Sequence, residues 1–304
     1  MPASAEQQRS SLGEQAVVFP CAESHLLGIL HHPADPAQEG PTQEGTAKTG
    51  ILIVTGGPQY RIGSHRQFLL LARAFADAGV PAFRFDHRGS GDSEGTFLGF
   101  EQISDDIGAA VAAFFENTPG LERVVLWGLC DAASAILFYA PGDPRVAGLV
   151  LVNPWVREEE GEARAMVKHY YGQRVLDPAF WRKLLSGKVA LADSLRGFVA
   201  GVAGWLRAAT ASRKGAETDA RPLPARMAQG LAGFEGPVGL ILSGRDLTAR
   251  EFLDAAGDDA WRRLLAAPRV ARHDLPEADH TFSRRVWRDA VAQWTLSWLR
   301  DNGH

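Results

Sequence analysis

Residues 124–133 read Val-Val-Leu-Trp-Gly-Leu-Cys-Asp-Ala-Ala, and this stretch decides the fold. The apolar run at its start predicts a strand, and the residues after Cys130 predict a helix. Gly128 and Ala132 lie two positions before and two positions after Cys130, and both are small enough for a strand and a helix to approach closely at a tight turn. Such a turn lifts its central side chain off the sheet at a helix N-terminus.

Cys130 is a candidate nucleophile because the predicted turn places its side chain at the start of a helix. Backbone N–H groups and the helix dipole favour negative charge at that place, so they favour the thiolate. The backbone N–H of Asp131 would supply one donor to an oxyanion. The alternative is a structural cysteine that packs where a strand meets a helix, which is common for free cysteines.

The rest of the chain alternates short apolar runs with helical patterns. Strands that alternate with helices predict an α/β protein with a mostly parallel sheet covered by helices on both faces. The first predicted helix, 64–79, has capping-box spacing between Ser64 and Gln67. Two early segments, 16–19 and 25–30, are predicted to form an antiparallel pair. The other predicted strands are 51–54, 80–85, 123–127, 146–152, 237–242 and 270–275, and the other predicted helices are 104–115, 132–139 and 284–300.

A long segment interrupts this alternation and divides the predicted core. Residues 1–155 are expected to form its first part and residues 236–304 its second, with 156–235 as a helical lid inserted between them. The lid would leave the carboxyl end of a strand, where ligands of such sheets bind. Phe198 and Trp205 are candidates for lining an acyl pocket, and the alternative is a helix that docks on a membrane surface or a partner.

A candidate acid and a candidate base follow Cys130 along the chain. Asp246 comes after the strand at 237–242, and His280 lies beyond the strand at 270–275. Enzymes with this kind of turn place the acid after a later strand and the histidine after the last strand, in that order. Asp279 is a rival acid, but it would have to fold back sharply to reach its immediate neighbour, so Asp246 is preferred. A solvated loop histidine is the alternative for His280.

The loop at residues 55–61, TGGPQYR, lies where a second oxyanion donor is expected. Gly57 or Gln59 could supply its backbone N–H, because the proline between them has none. Arg61 and His65 nearby are candidates for binding an anionic substrate group. A solvated helix start explains these two residues about as well.

The composition of the chain argues against several classes of function. The chain of 304 residues has 32 Lys+Arg against 36 Asp+Glu and a formal net charge of −4, and the absence of a basic block argues against a nucleic-acid partner. Two cysteines, Cys21 and Cys130, cannot form a disulfide framework or a four-thiolate zinc site, and no ligand cluster predicts a metal or organic cofactor. The polar residues 1–15 lack the apolar core of a signal peptide, and charges interrupt the longest apolar stretch, 189–206. The sequence therefore predicts a soluble, cytoplasmic protein without a transmembrane segment.

Together these features resemble the α/β-hydrolase superfamily over nearly the whole chain. FDHRGSGDSEG at 85–95 is similar to a structural turn of that superfamily. More narrowly, GGPQYR at 56–61, GLCDAAS at 128–134 and SGRDLTAREF at 243–252 resemble the exosortase A system-associated hydrolases, and the first of their two types is the closer match. The resemblance implies an α/β-hydrolase fold and a cytoplasmic hydrolase with a lid, in bacteria that sort C-terminally tagged proteins and make exopolysaccharide.

The expected chemistry is attack of Cys130 on a small-molecule acyl ester, thioester or amide, with His280 as the base and Asp246 orienting it. Three alternatives stay open. The same triad could transfer the acyl group to an alcohol or amine, or the chain could be similar to dienelactone hydrolases, which also use Cys, Asp and His. A non-catalytic protein could instead hold a lipid or an acyl carrier for an export machinery.

Overall fold

The computed structural model of the chain describes residues 13–33, 48–57, 59–157 and 221–304. Within these ranges, eight strands form one sheet in the order β1-β2-β4-β3-β5-β6-β7-β8. The strands are β1 (Glu14–Cys21), β2 (Ser24–His31), β3 (Thr49–Val54), β4 (Ala82–Phe85), β5 (Arg123–Leu129), β6 (Val146–Val152), β7 (Val238–Ser243) and β8 (Val270–Leu275). The α-helices are α1 (Gln67–Asp77), α2 (Ser104–Asn117), α3 (Asp131–Tyr139), α4 (Leu223–Gly233), α5 (Leu247–Ala255), α6 (Asp259–Leu265) and α7 (Arg285–Asp301).

The sheet is mostly parallel, as predicted. β1 and β2 pair antiparallel, and β2 also runs antiparallel to β4, whereas β3 to β8 pair in parallel. β5 lies in the middle, between β3 and β6, with Gly128 opposite Val54 on one side and Leu151 on the other. The carboxyl ends of the central strands therefore meet around Cys130, which is the position at which open α/β sheets bind their ligands.

Helices cover both faces of the sheet, which explains why the central strands read as continuous apolar runs. All residues of β3, β4 and β7 are buried. Helices α1 and α7 pack side by side on one face, where the Phe68 ring meets Trp127 of β5 edge-on at a centroid distance of 5.9 Å. Helices α2 and α3 contact each other and pack on the strands of the other face.

The first helix begins later than predicted. Residues Ser64–Arg66 form a short 3-10 turn, and α1 starts at Gln67 without a side-chain cap, so the expected capping box between Ser64 and Gln67 is wrong. His65 and Arg66 adopt positive φ angles of 53° and 61°. Two successive left-handed residues interrupt the helical path, because an α-helix requires negative φ at every position.

Most of the segment predicted to form the lid, including Phe198 and Trp205, lies outside the described residues. Its last part is described and forms α4 on the core. A side chain on Gly230 would meet the backbone of Leu137 in α3, and the Trp261 indole donates to the Pro224 carbonyl at 3.2 Å. Among the described helices, none combines the length and hydropathy needed to cross a membrane.

Candidate active site

The turn after β5 has the strained geometry that residues 124–133 predict. Cys130 is half-buried and precedes α3 with φ 63° and ψ −126°, an arrangement that non-glycine residues adopt only under strong constraint. Its N–H donates to the Val152 carbonyl at 2.9 Å, and its own carbonyl accepts from Ala133 at 3.0 Å and Trp155 at 3.2 Å. These bonds fix the Cys130 backbone between the ends of β5 and β6 and the start of α3.

The turn depends on a glycine at position 128. A Cβ atom there would lie 2.8 Å from the backbone of Ala132 and Ala133. Replacing Gly128 with alanine should therefore lower the free energy of unfolding by about 1–3 kcal/mol, because the strand and the helix cannot both keep their places. Urea unfolding of the two proteins measures this difference.

Gly142→Ala is the matched control, since a Cβ at Gly142 would meet nothing within 4 Å. Its free energy of unfolding should stay within about 0.5 kcal/mol of the wild type. Equal stabilities for the Gly128 and Gly142 variants would contradict the close approach of β5 and α3.

Asp246 and His280 meet in the structure. The His280 Nδ1 atom lies 2.8 Å from Asp246 Oδ2, with Asp246 buried and the His280 side chain 31% exposed. Asp246 also caps α5, because its carboxylate accepts N–H bonds from Thr248 and Ala249. The cap fixes the carboxylate, and the carboxylate in turn fixes the histidine ring. Since a carboxylate only accepts hydrogen bonds, Nδ1 carries the proton in this contact and Nε2 of the neutral ring is left as an acceptor.

Asn153, which the sequence analysis did not identify as a site residue, connects the histidine loop to the turn at Cys130. It follows β6 directly, is fully buried and has a positive φ of 44°. Its side-chain amide accepts from the Ser243 N–H at 2.8 Å and donates to Ser243 Oγ at 2.9 Å and to the His280 carbonyl at 3.3 Å. The preceding residue, Val152, is the last residue of β6, and its carbonyl accepts the Cys130 N–H. Both His280 and Cys130 are therefore hydrogen-bonded to the end of β6.

Asp279, the rival acid, is engaged elsewhere. Its carboxylate accepts bonds from the N–H and the hydroxyl of Ser283. Burial raises the pKa of Asp279, but these bonds and a nearby His65 outweigh it and hold the pKa below its usual value. Asp279 therefore bonds within its own loop, to Ser283. The carboxylate that contacts the His280 ring is that of Asp246.

The loop after β3 wraps around the side chain of Asp131. The Asp131 carboxylate accepts the backbone N–H of Ala132 at 3.0 Å, and a Cβ atom on Gly56 would lie 1.9 Å from Asp131 Oδ1. The Gln59 N–H donates to the Gly56 carbonyl at 3.2 Å. Of the two N–H groups that are candidates for the second oxyanion donor, the one from Gln59 is therefore already engaged.

The two candidate anion-binding residues differ in their surroundings. Arg61 is 8% exposed, and its guanidinium pairs with Asp86 and with Asp92. Its charge is thus balanced inside the loop, so the anion-binding role predicted for Arg61 does not fit, and the residue ties the 55–61 loop to the turn after β4. His65 is exposed and near Asp279, next to the histidine loop.

In the described ranges, no group of three or more His, Cys, Asp or Glu side chains could hold a metal ion. What the described residues bring together is a cysteine on a strained turn, an aspartate–histidine pair and a helix N-terminus. That set of groups is suited to nucleophilic attack on a carbonyl.

Comparisons with known proteins identify the fold. The family model of the serine aminopeptidases S33 matches residues 49–194. An esterase of Pyrococcus furiosus is 14% identical and superposes with a TM-score of 0.63 over 99% of this chain and 96% of its own. The chain has the α/β-hydrolase fold.

Two further solved structures share this α/β-hydrolase fold. An α/β-hydrolase from Penicillium sp. sh18 is 16% identical, with a TM-score of 0.62 over 95% of this chain and 98% of its own. Est1E from Butyrivibrio proteoclasticus, solved with ferulic acid bound, is 14% identical, with a TM-score of 0.57 over 94% of this chain and 100% of its own. By sequence, the chain matches no curated protein.

Proposed function

We propose that the protein is an acyl hydrolase that uses Cys130 as nucleophile, His280 as general base and Asp246 as the residue that orients the histidine. The observation that carries the proposal is the 2.8 Å contact between His280 Nδ1 and Asp246 Oδ2, held by Asn153 to the strand end that also binds the Cys130 N–H. A structural cysteine would need neither the strained φ of Cys130 nor an oriented histidine held to the end of the same strand.

The proposed reaction proceeds in two halves. His280 Nε2 takes the proton from the Cys130 thiol, and the sulfur forms a bond to the carbonyl carbon of the substrate. The carbonyl oxygen gains negative charge near the N–H of Asp131. When the bond to the leaving group breaks, His280 returns the proton to that group, and an acyl thioester remains on Cys130. Water, deprotonated by His280, then attacks the thioester carbon, and the C–S bond breaks to release the acid as His280 returns the proton to the Cys130 sulfur.

The proposed substrate class is acyl esters and thioesters, with amides as a further possibility. The fold neighbours include an esterase and a protein that binds ferulic acid, which supports a carboxylic ester. If an alcohol or amine replaced water in the second half, the same thioester would give acyl transfer. The predicted contribution of Phe198 and Trp205 to the acyl pocket stays a prediction.

The setting is proposed from the sequence resemblance. The motifs at 56–61, 128–134 and 243–252 resemble the exosortase A system-associated hydrolases, which supports a cytoplasmic role in exopolysaccharide-linked or exosortase-linked metabolism. A small acyl compound is the proposed substrate, and an acyl carrier or a component of an export machinery is the proposed partner.

A panel of acyl p-nitrophenyl esters and acyl thioesters tests the proposed function. The wild type should hydrolyse at least one member, and Cys130→Ala should lose that activity because it lacks the attacking sulfur. Rapid quenching followed by peptide mass spectrometry should find the acyl group on Cys130. Cys21→Ala is the control: Cys21 is buried in β1 and should not affect turnover.

Equal hydrolysis by the wild type and Cys130→Ala would overturn Cys130 as the nucleophile. Binding of an acyl compound without any turnover across the panel would support the non-catalytic alternative.

A further inference from the structure

The strand β8 (Val270–Leu275) forms one edge of the sheet. It pairs with β7 on one side, and among the described residues no strand pairs with its other side. Ala271, Arg272 and Asp274 are exposed, whereas every residue of β7 is buried. An exposed strand edge can accept a further strand, because its outer N–H and C=O groups have no partner in the sheet.

The backbone groups that β8 turns outward can be identified from its bonds to the β7 side. The Leu275 carbonyl accepts the N–H of Gly244, directly after β7, at 2.9 Å. The carbonyl of Arg269, which precedes β8, likewise accepts the first N–H of β7 at 2.8 Å. Successive residues of a strand direct their N–H and C=O groups to opposite sides. The odd-numbered residues of β8 therefore bond to β7, and the N–H and C=O groups of Arg272 and Asp274 point away from the sheet.

A second copy of the chain can extend the sheet by pairing its own β8 with this edge. Two identical edges related by a two-fold axis perpendicular to the sheet run antiparallel, and each register is defined by the residue on the axis. A register centred on Arg272 brings two guanidinium groups opposite each other, and one centred on Asp274 brings two carboxylates together. Like charges directly opposite destabilise a pair of strands. A register centred on Ala271 places Arg272 opposite Val270 and forms no ion pair.

The register centred on His273 pairs opposite charges on one face of the sheet. Arg272 of each copy lies opposite Asp274 of the other, so two ion pairs cross the interface. Within one chain the same side chains already approach each other, with Arg272 Nε 3.0 Å from Asp274 Oδ1. Both side chains are about half exposed, at 45% and 51%. The crossed arrangement would join all four charges in one alternating cluster, and opposite charges across strands stabilise their pairing.

The other face of β8 carries uncharged groups in this register. Ala271 of one copy would lie opposite Leu275 of the other, and the two His273 side chains would face each other on the axis. His273 stacks on Trp294 of α7 with ring centroids 5.3 Å apart. Burial lowers the pKa of His273 below its usual value and outweighs the opposite effect of Asp274. The two facing imidazoles are therefore neutral at neutral pH and do not repel each other.

We propose that the β8 edge is a homodimerisation surface: two copies pair their β8 strands antiparallel about a two-fold axis at His273, with Arg272 of each copy bound to Asp274 of the other. The occupant is a second copy rather than another protein, because the charges and the apolar residues of this one strand complement themselves. The pairing forms one continuous sheet with α7 of both copies on the same face. This inference does not depend on the proposed function.

Charge reversal tests the interface, with the molar mass measured by light scattering over a series of protein concentrations. The wild type should be a dimer that dissociates on dilution. Arg272→Asp places carboxylates opposite each other at both crossed pairs, and Asp274→Arg places guanidinium groups opposite each other. Each variant should raise the dissociation constant of the dimer at least about tenfold.

Equimolar mixing of the two single variants restores the complementarity, because the aspartates of one chain then face the arginines of the other. The mixture should form heterodimers, and the double variant Arg272→Asp, Asp274→Arg should also recover dimerisation. Lys48→Asp is the control for net charge: Lys48 pairs with Glu122 at an exposed site before the central strands, with side-chain exposures of 63% and 52%. It should leave the dissociation constant unchanged.

Cysteine cross-linking reports the register. In the proposed pairing the two positions 273 form a non-hydrogen-bonded pair, whose Cα atoms lie about 4.5 Å apart, within the range that a disulfide spans. His273→Cys in a Cys130→Ala background should therefore form an interchain disulfide under mild oxidation. Ala271→Cys in the same background is the control, since the two positions 271 lie about 13 Å apart along the paired strands and should not cross-link.

A wild type that stays monomeric at every concentration would overturn the proposal. A dimer whose dissociation constant is unchanged by both charge reversals would also overturn it, because that dimer would use another surface. Circular dichroism spectra show whether the two variants are folded. If either fails to fold, the disulfide at position 273 decides, and its absence would contradict the pairing of β8 with β8.

Discussion

His280→Ala is expected to lower the turnover of any ester substrate at least about a hundredfold, because a positioned general base contributes about 10²–10⁴ to such rates. The variant should fold normally, since the His280 side chain is 31% exposed and its hydrogen bond to Asp246 is not part of the core. Steady-state rates measure the loss of turnover. The unfolding midpoint of the same variant shows whether its stability has also changed.

The Cys130→Ala, His280→Ala double variant sharpens this test. Residues that act as one catalytic unit have non-additive effects, so the double variant should be about as slow as Cys130→Ala alone. His273→Ala is the matched control: His273 lies on β8 and stacks on Trp294 at 5.3 Å, whereas the Asp246 carboxylate contacts His280. If His280→Ala kept more than about a hundredth of the wild-type rate while folded, His280 would not be the base.

The positions of the strands along the chain could be predicted because each strand of a covered parallel sheet carries its own signal. Continuous apolar runs such as those of β3 and β6 arise from burial on both faces, which leaves few polar residues to obscure them. Apolar spacing predicts the start of helix α1 three residues too early, because it does not report the positive φ of His65 and Arg66. No helix is predicted at α5, because its nine residues provide little periodicity, although its cap, Asp246, is predicted to be the acid.

Some residues of the candidate site could likewise be predicted from the sequence, and others could not. Cys130, Asp246 and His280 each follow a strand, so their shared edge of the sheet follows from the topology alone. The roles of Asn153 and Asp131 depend on which loop approaches them through space. Neither the bond from Asn153 to the His280 carbonyl nor the closure of the Gly56–Gly57 loop on Asp131 leaves a spacing in the sequence.

Asp246→Asn is expected to have the second large effect. An amide at this position can cap α5 and contact the histidine, but its NH₂ group can also turn toward Nδ1 and favour the tautomer with the proton on Nε2. That tautomer cannot accept the Cys130 proton, and its ring loses the negative partner that stabilises an imidazolium during the reaction. Turnover of an ester should therefore fall by about 10²–10⁴-fold.

The matched control for this variant is Asp279→Asn, one residue from His280 but bound to Ser283 rather than to the ring. It should keep turnover within about tenfold of the wild type, because it changes only a local loop contact. The KM of both variants should change little, since neither carboxylate is proposed to touch the acyl chain. The opposite ranking, with Asp279→Asn the slower enzyme, would make Asp279 the acid and would require the histidine loop to rearrange before catalysis. The 2.8 Å contact between Asp246 and His280 argues against that rearrangement, because the α5 cap and the Asn153 bond already hold both ends of the pair.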